Sequence, residues 1–215
     1  MEKIVLESVV PRVFADGREL HSDIWNNSVT FERGHLYLIE SESGKGKSTF
    51  CSYILGYRND YTGCIRFDGG DIRMLDTSAW VDIRRRHVSH LFQELRLFPE
   101  LTAYENVEVK NRLMGGFKPA DKIAGWFDML GIADKRDTPV GKMSFGQQQR
   151  VALIRALVQP FDFLLVDEPI SHLDDENAAV MARMMMQEAG EQGAGVIVTS
   201  IGKHMDLNYE RVFRL

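Results

Sequence analysis

The sequence predicts an α/β fold with a mostly parallel sheet core, an amino-terminal antiparallel β region and an inserted helical subdomain. Three observations predict it. The glycine- and serine-rich run Ser41-Glu42-Ser43-Gly44-Lys45-Gly46-Lys47-Ser48-Thr49 launches a helical stretch, apolar strands and helices alternate afterwards, and residues 95 to 142 interrupt that alternation with helical periodicity alone. At 215 residues there is room for one sizeable core. We therefore read a single domain, 1–215, with a helical subdomain inserted over 95–146.

The elements follow in order. Short β-type runs cover Lys3 to Val10 and Leu36 to Glu40, with Asp16-Gly17 and Arg33-Gly34 as turn signals between them. A helix runs from Ser48 through Leu55 and stops at Gly56. A strand near Cys64 to Phe67 enters the turn Asp68-Gly69-Gly70. Leu97-Phe98-Pro99 opens the helical stretch, in which Leu101, Tyr104 and Val107 and then Ile123, Trp126, Phe127 and Leu130 recur at helical spacing, punctuated by Gly115-Gly116, Pro119 and Gly131. Beyond it come a helix over Gln147 to Val158, an apolar strand over Phe161 to Val166, a helix over Glu176 to Glu188 and a buried strand over Gly195 to Thr199.

Composition excludes several classes. Twenty-six basic residues against 31 acidic ones give a formal charge of −5 and no electrostatic footprint for nucleic acid. The triplet Arg84-Arg85-Arg86 is the one dense positive run and reads as a solvated helix face. Cys51 and Cys64 are too few for a disulfide framework or a patterned zinc site, and they read as packed apolar residues in a reducing compartment. No uninterrupted apolar stretch has membrane-spanning length, and charged residues punctuate the start from Glu2 onward, unlike a signal peptide. Met181, Met184, Met185 and Met186 read as adaptable core on a helix.

Two motifs carry chemistry directly. In a phosphate loop, consecutive backbone N–H groups converge on an anion at the positive end of the following helix, and glycines permit the curvature. Gly44 and Gly46 are in place, Lys47 would reach the β- and γ-phosphates, and the Ser48 hydroxyl would ligate magnesium. Ser41 stands where the general pattern has glycine; if that position requires a left-handed backbone, the exchange costs about 1–2 kcal/mol. The apolar strand Phe163-Leu164-Leu165-Val166 ends in Asp167-Glu168-Pro169. A carboxylate at the end of a buried strand is costly unless paired or bound to metal, which makes Asp167 a candidate Mg²⁺ ligand. Glu168 is the candidate that polarises the attacking water in phosphoryl transfer.

Set in order along the chain, these motifs and several others resemble the ATP-binding cassette ATPases, whose fold is that of the P-loop NTPases, and the resemblance covers nearly the whole chain. Asp68-Gly69-Gly70-Asp71-Ile72 and the run from His90 through Gln93 to Thr102 are similar to the family's glutamine loop and the approach to it. The resemblance implies that Gln93 touches Mg²⁺ and the attacking water. Met143-Ser144-Phe145-Gly146-Gln147 occupies the place of the family signature, which implies that Ser144, Gly146 and Gln147 face the γ-phosphate held by an opposite subunit. Ser171-His172-Leu173-Asp174 resembles the loop that crosses the dimer interface. For adenine the family uses an aromatic ring from the amino-terminal β region, for which Phe14 is the candidate; core packing is the other reading of that ring.

Three departures bear on mechanism. Besides Ser41, Phe145 replaces a signature glycine, and we expect its ring to point away, because backbone donors do not depend on side-chain identity where φ and ψ are accessible. After the strand Val196-Ile197-Val198-Thr199, Ser200 stands where the family places a histidine that contacts the γ-phosphate, and His204, four residues on, reads as a surface residue. Losing one donor aimed at transition-state charge costs about 10²–10³ in turnover, which implies slow or partner-dependent hydrolysis.

The resemblance thus implies a cytoplasmic ATPase subunit, held at the inner face of the cell membrane through an integral membrane transporter subunit. It would bind ATP and Mg²⁺ between itself and a second cassette, and compact cassettes of the lipoprotein-release and macrolide-export type are the nearest in character. Two other readings stay open in the sequence. One is a regulatory or mechanotransmitting module of the kind that works with a cell-division membrane protein. The other is a nucleotide-binding pseudoenzyme, suggested by Ser41, Phe145 and Ser200 together.

Overall fold

A computed structural model describes residues 1–14, 21–42, 44, 46–170 and 173–215. The Asp16-Gly17 turn, Ser43, Lys45 and the pair Ser171-His172 lie outside the described residues.

Two sheets form the framework. In the first, β1 (Lys3–Pro11) lies between β2 (Ser28–Glu32) and β4 (Tyr61–Phe67), antiparallel to both, and β4 continues into the short β5 (Gly70–Asp71). Registers such as Ile4 opposite Phe31 and Phe67 put one side of β1 on the core, so its burial alternates with period two over Ile4 and Leu6. The β4–β5 turn passes through Asp68 and Gly69 with φ of 48° and 91°, the mirror-image turn whose twist suits a two-residue hairpin.

The second sheet has the order β6, β7, β8, β3, β9, all parallel: β6 is Val88–Leu91, β7 Phe163–Asp167, β8 Gly195–Ser200, β3 Leu36–Glu40 and β9 Arg211–Arg214. Every residue of β7 and β8 is buried, as expected of parallel strands covered on both faces. One face packs against α1 (Lys47–Ile54) and the antiparallel sheet, around Phe31, Phe50, Tyr53 and Phe163. The other packs against α5 (Phe145–Leu157) and α6 (Asp175–Gln192), where Met181, Met184 and Met185 are core. Between β6 and α5 lie α3 (Ala103–Leu113) and α4 (Ala120–Met129), both packed on α5. A short α2 (Thr77–Asp82) runs on into the turn that carries the arginine triplet.

Sequence and structure differ at specific points. The helix expected from Gln147 starts two residues earlier, because Ser144 caps it: its hydroxyl accepts from the Gln147 N–H while the Gln147 side chain accepts from the Ser144 N–H. The strand expected at Phe161 begins at Phe163 and includes Asp167. The arginine triplet is less solvated than a free helix face. Arg84 Nε donates to the Leu55 carbonyl near the end of α1 at 3.0 Å and its guanidinium stacks on Tyr57 and Trp80, while Arg85 donates to the Leu113 carbonyl at 2.6 Å.

Candidate active site

Because β6, β7, β8 and β3 run parallel side by side, their carboxyl ends share one edge, which is where open α/β sheets hold ligands. Glu40 ends β3 and leads into the run Ser41 to Thr49, Gln93 follows β6, Asp167 closes β7 and Ser200 closes β8. Topology alone therefore gathers residues far apart in the chain.

The loop after β3 is built by glycine. Gly44 and Gly46 have φ of 80° and 105°, left-handed values that an L side chain resists, and a Cβ on Gly46 would lie 3.3 Å from both the Phe14 ring and Trp25 Nε1. Gly46 is also the N-cap of α1 and offers no side-chain acceptor, so the first-turn N–H groups keep the positive end of the helix open toward an anion. Ser41 is not among the residues with positive φ, so the backbone penalty considered for it does not arise. Its hydroxyl donates to the Glu42 carbonyl at 2.7 Å and accepts from Lys47 Nζ at 3.5 Å. Lys47 is buried, also donates to the Glu42 carbonyl at 3.2 Å, and lies 3.8 Å from Glu168 Oε1. The Thr49 hydroxyl accepts from Arg58 Nη1 at 3.3 Å.

The carboxylates meet the loop from β7. Asp167 is buried; it accepts a hydrogen bond from the Thr199 hydroxyl on β8 and shares a cavity with Ser48. Burial pushes its carboxyl above the ordinary range, against the opposing pull of Thr199 and Lys47. Glu168 is also raised by burial, with Asp167 adding to the shift and Lys47 opposing it. Its φ of 49° is a left-handed value rare for a residue with a side chain, a strain of the kind found at functional sites. Gln93 Nε2 donates to Glu168 Oε2 at 3.3 Å. A lysine, two carboxylates, a serine hydroxyl and a glutamine amide thus surround one anion-competent loop, a set suited to holding a phosphate ester and orienting water beside it.

Residues 24–171 match a protein family described as ABC transporter. The chain belongs to the ABC transporter family. It is 33% identical over 174 residues to the ABC transporter ATP-binding protein YtrE of Bacillus subtilis, covering 80% of this chain and 75% of that protein. It is 30% identical over 222 residues to the macrolide export ATP-binding/permease protein MacB of Shewanella oneidensis, covering all of this chain and 33% of MacB. The chain thus spans three quarters of YtrE and about a third of MacB. Among solved structures, the ATP-binding cassette MJ0796, seen as a dimer in a post-hydrolysis state with ADP and Pi, aligns with a TM-score of 0.76 at 27% identity, over 92% of this chain and 87% of that one. A bacterial Atm1-family ABC exporter with ATP bound shares the fold, with a TM-score of 0.74 at 23% identity over 93% of this chain and 34% of the exporter.

The remaining expected site residues of this ABC cassette fall into two groups. Ser144, Gly146 and Gln147 open α5, with the Ser144 hydroxyl engaged as the cap and the Gly146 carbonyl accepting from Arg150 at 3.2 Å. They are contributed by a different element from the phosphate loop, as expected if they serve another subunit. Phe145 beside them is 42% exposed. The second group is drawn inward. Ser200 is 2% exposed, and its hydroxyl donates to the Lys203 carbonyl. Phe14 is half-buried, with one ring edge beside the Gly46 backbone and the rest against the core around Phe31 and Phe50, while Val13 next to it is exposed. His204 sits near the surface, 3.7 Å from Glu40 and edge-on to Tyr209.

Sequence reasoning missed Thr199, which holds Asp167, and Gln149, buried on α5 with its amide donating to the Pro169 carbonyl at 2.7 Å. Gln149 ties α5 to the turn after Glu168. It also missed His90, whose imidazole burial lowers to a pKa of about 3, with Arg96 and Lys110 adding to the shift. Thr199 has no signal of its own in the sequence, since its partner is visible only once β7 and β8 are known to be neighbours.

Proposed function

We propose that this cassette is the ATP-binding and ATP-hydrolysing subunit of an ABC transporter, closing on ATP with a second cassette to drive a separate integral membrane subunit from the cytoplasmic face. The observation that carries the reading is the single cluster of Lys47, Ser48, Gln93, Asp167 and Glu168 at the carboxyl ends of the parallel strands. In it Lys47 and the α1 amino terminus bind the phosphates. Glu168, partnered by Gln93, orients and polarises the attacking water. Phe14, bordering Gly46, is the ring available to adenine. The oxygen donors Ser48 and Asp167, with the Gln93 amide oxygen, fit a hard cation such as Mg²⁺, which when bound neutralises charge on the phosphates.

The second cassette follows from the placement of Ser144, Gly146 and Gln147 on α5, outside the phosphate loop's own strand–helix unit, and the dimeric MJ0796 cassette supports that arrangement. A membrane partner is supported by the ATP-binding/permease name of MacB, of which this chain spans the equivalent of one third. Among the described residues no helix is long and apolar enough to cross a membrane.

The test is steady-state ATP hydrolysis by the purified chain and its Glu168→Gln variant, with nucleotide affinity measured on the same samples. A positioned base contributes about 10²–10⁴-fold, so turnover should fall by at least the lower figure while binding persists. Equal, background-level turnover in both proteins would remove autonomous hydrolysis from the proposal.

A further inference from the structure

Cys51 on α1, His90 on β6 and Asp167 at the end of β7 each present one donor atom, and the sulfur, a ring nitrogen and a carboxylate oxygen all lie within 4.8 Å of one another. Three separate elements supply them, so the grouping is tertiary and invisible to spacing along the chain. They line a cavity of about 190 Å³ beside Ser48, Gln93 and Arg96. Both ring nitrogens of His90 are shut off from solvent with no hydrogen-bond partner among the described residues. An imidazole buried with neither nitrogen satisfied carries a desolvation penalty that a ligand in the cavity would relieve.

The donor set discriminates among cations. Mg²⁺ takes oxygen ligands, whereas a thiolate, an imidazole and a carboxylate together suit zinc and its neighbours. Zinc–ligand lengths of about 2.0–2.3 Å place tetrahedral donors roughly 3.5 Å apart, a contraction that side-chain rotation can supply. Three protein donors and the adjoining cavity leave the fourth position to water, the pattern of open zinc sites.

We propose that Cys51, His90 and Asp167 form a binding site for a thiophilic divalent cation, Zn²⁺ or Co²⁺, and that an ion held there inhibits the cassette by withdrawing Asp167 from the nucleotide site. The Cys51 thiol gives its proton to solvent as the metal–sulfur bond forms, and no electron changes hands. Binding stands on the cluster alone. Inhibition rests on the proposed role of Asp167 in nucleotide binding.

Titration of the nucleotide-free protein with Co²⁺ tests binding by absorption, and equilibrium binding of Mg·ATP with and without stoichiometric Zn²⁺ tests inhibition. We expect one Co²⁺ per chain with a thiolate-to-metal charge-transfer band, no such band in Cys51→Ser, and affinity at least about tenfold weaker in His90→Leu. Zn²⁺ should weaken Mg·ATP binding in the parent protein by tenfold or more and leave His90→Leu unaffected. If Cys51→Ser fails to fold by circular dichroism, His90→Leu alone carries the test. Absence of the band in the parent protein, or its survival in folded Cys51→Ser, overturns the site. A cobalt site that forms without any effect on Mg·ATP binding keeps the site, overturns the inhibition, and bears against the role given to Asp167.

Discussion

Lys47 and Glu168 face each other at 3.8 Å, and each resists its own charge: burial pulls the ammonium pKa down and pushes the carboxyl up. Each partner opposes the other's shift, but burial is the larger effect on both. A carboxylate whose folded pKa lies above its unfolded value binds its proton more tightly in the native state, so stability falls as pH rises between the two values. Glu168→Gln, neutral at every pH, therefore raises the melting temperature of the nucleotide-free protein at neutral pH, and the gain shrinks as pH falls toward the carboxyl's own protonation. Asp167 stays beside Lys47 to balance it. Thermal melts at several pH values check this; a lower melting temperature at neutral pH would mean that the ion pair outweighs burial. A site that gains stability when its carboxylate is neutralised is one held for function.

Ser200 is the residue whose role the structure redirects. Its hydroxyl is committed to the Lys203 carbonyl inside the fold, so it is a loop fastener. Ser200→Ala should leave turnover within about twofold of the parent and cost about 1 kcal/mol of stability, the net worth of one hydrogen bond. Paired hydrolysis assays and urea unfolding measure both. A loss of about 10²-fold in turnover would restore Ser200 to the reaction.

The parallel core was legible in the sequence wherever one element carried the whole signal: β7 and β8 as apolar runs, α6 with its buried methionines, and the phosphate loop with Gly44 and Gly46 at left-handed positions. Boundaries slipped where a polar side chain decides them, as at Ser144, although the spacing to Gln147 is a readable capping box. Pairings between elements were not legible. Thr199 with Asp167, Gln149 with the Pro169 carbonyl and Arg84 with the Leu55 carbonyl each depend on which strands and helices become neighbours. Ser41 shows the same limit from the other side, since its cost depended on a φ that only the folded loop defines.

Ser144 has two separable duties. In the isolated cassette it caps α5, and in the proposed dimer it meets the γ-phosphate across the interface. Ser144→Ala should cost about 1 kcal/mol through the lost cap and also lower turnover. Aspartate is an equally good N-cap and suits the positive end of the helix, so Ser144→Asp should keep stability while placing a negative charge toward the nucleotide and abolishing ATP-dependent dimerisation. Urea unfolding of the monomer and light scattering with and without ATP separate the two. Parallel losses in both variants would reduce Ser144 to its capping duty.

Asp162 joins elements that begin far apart in the chain. Its carboxylate meets the Met1 ammonium at 2.5 Å, His87 Nδ1 at 2.5 Å and Arg33 Nη1 at 3.1 Å, while its backbone bonds to His87 and Gly195. Burial alone would raise the carboxyl, but the hydrogen bonds from Met1 and His87, aided by Arg33, hold it below its ordinary value. A depressed folded pKa means that the stabilisation is present above the unfolded pKa and is lost as pH falls through the folded one. Asp162→Asn should therefore lower stability at neutral pH by about 1.5–3 kcal/mol, the cost of losing hydrogen bonds to charged groups, with about 2–4 °C of melting temperature for each kcal/mol in a domain of this size. The gap between parent and variant should close as pH is lowered through the acid range, since protonated Asp162 loses the same partners. A gap that persists unchanged to the acid limit would assign the contribution to backbone packing around β7 and not to the carboxylate.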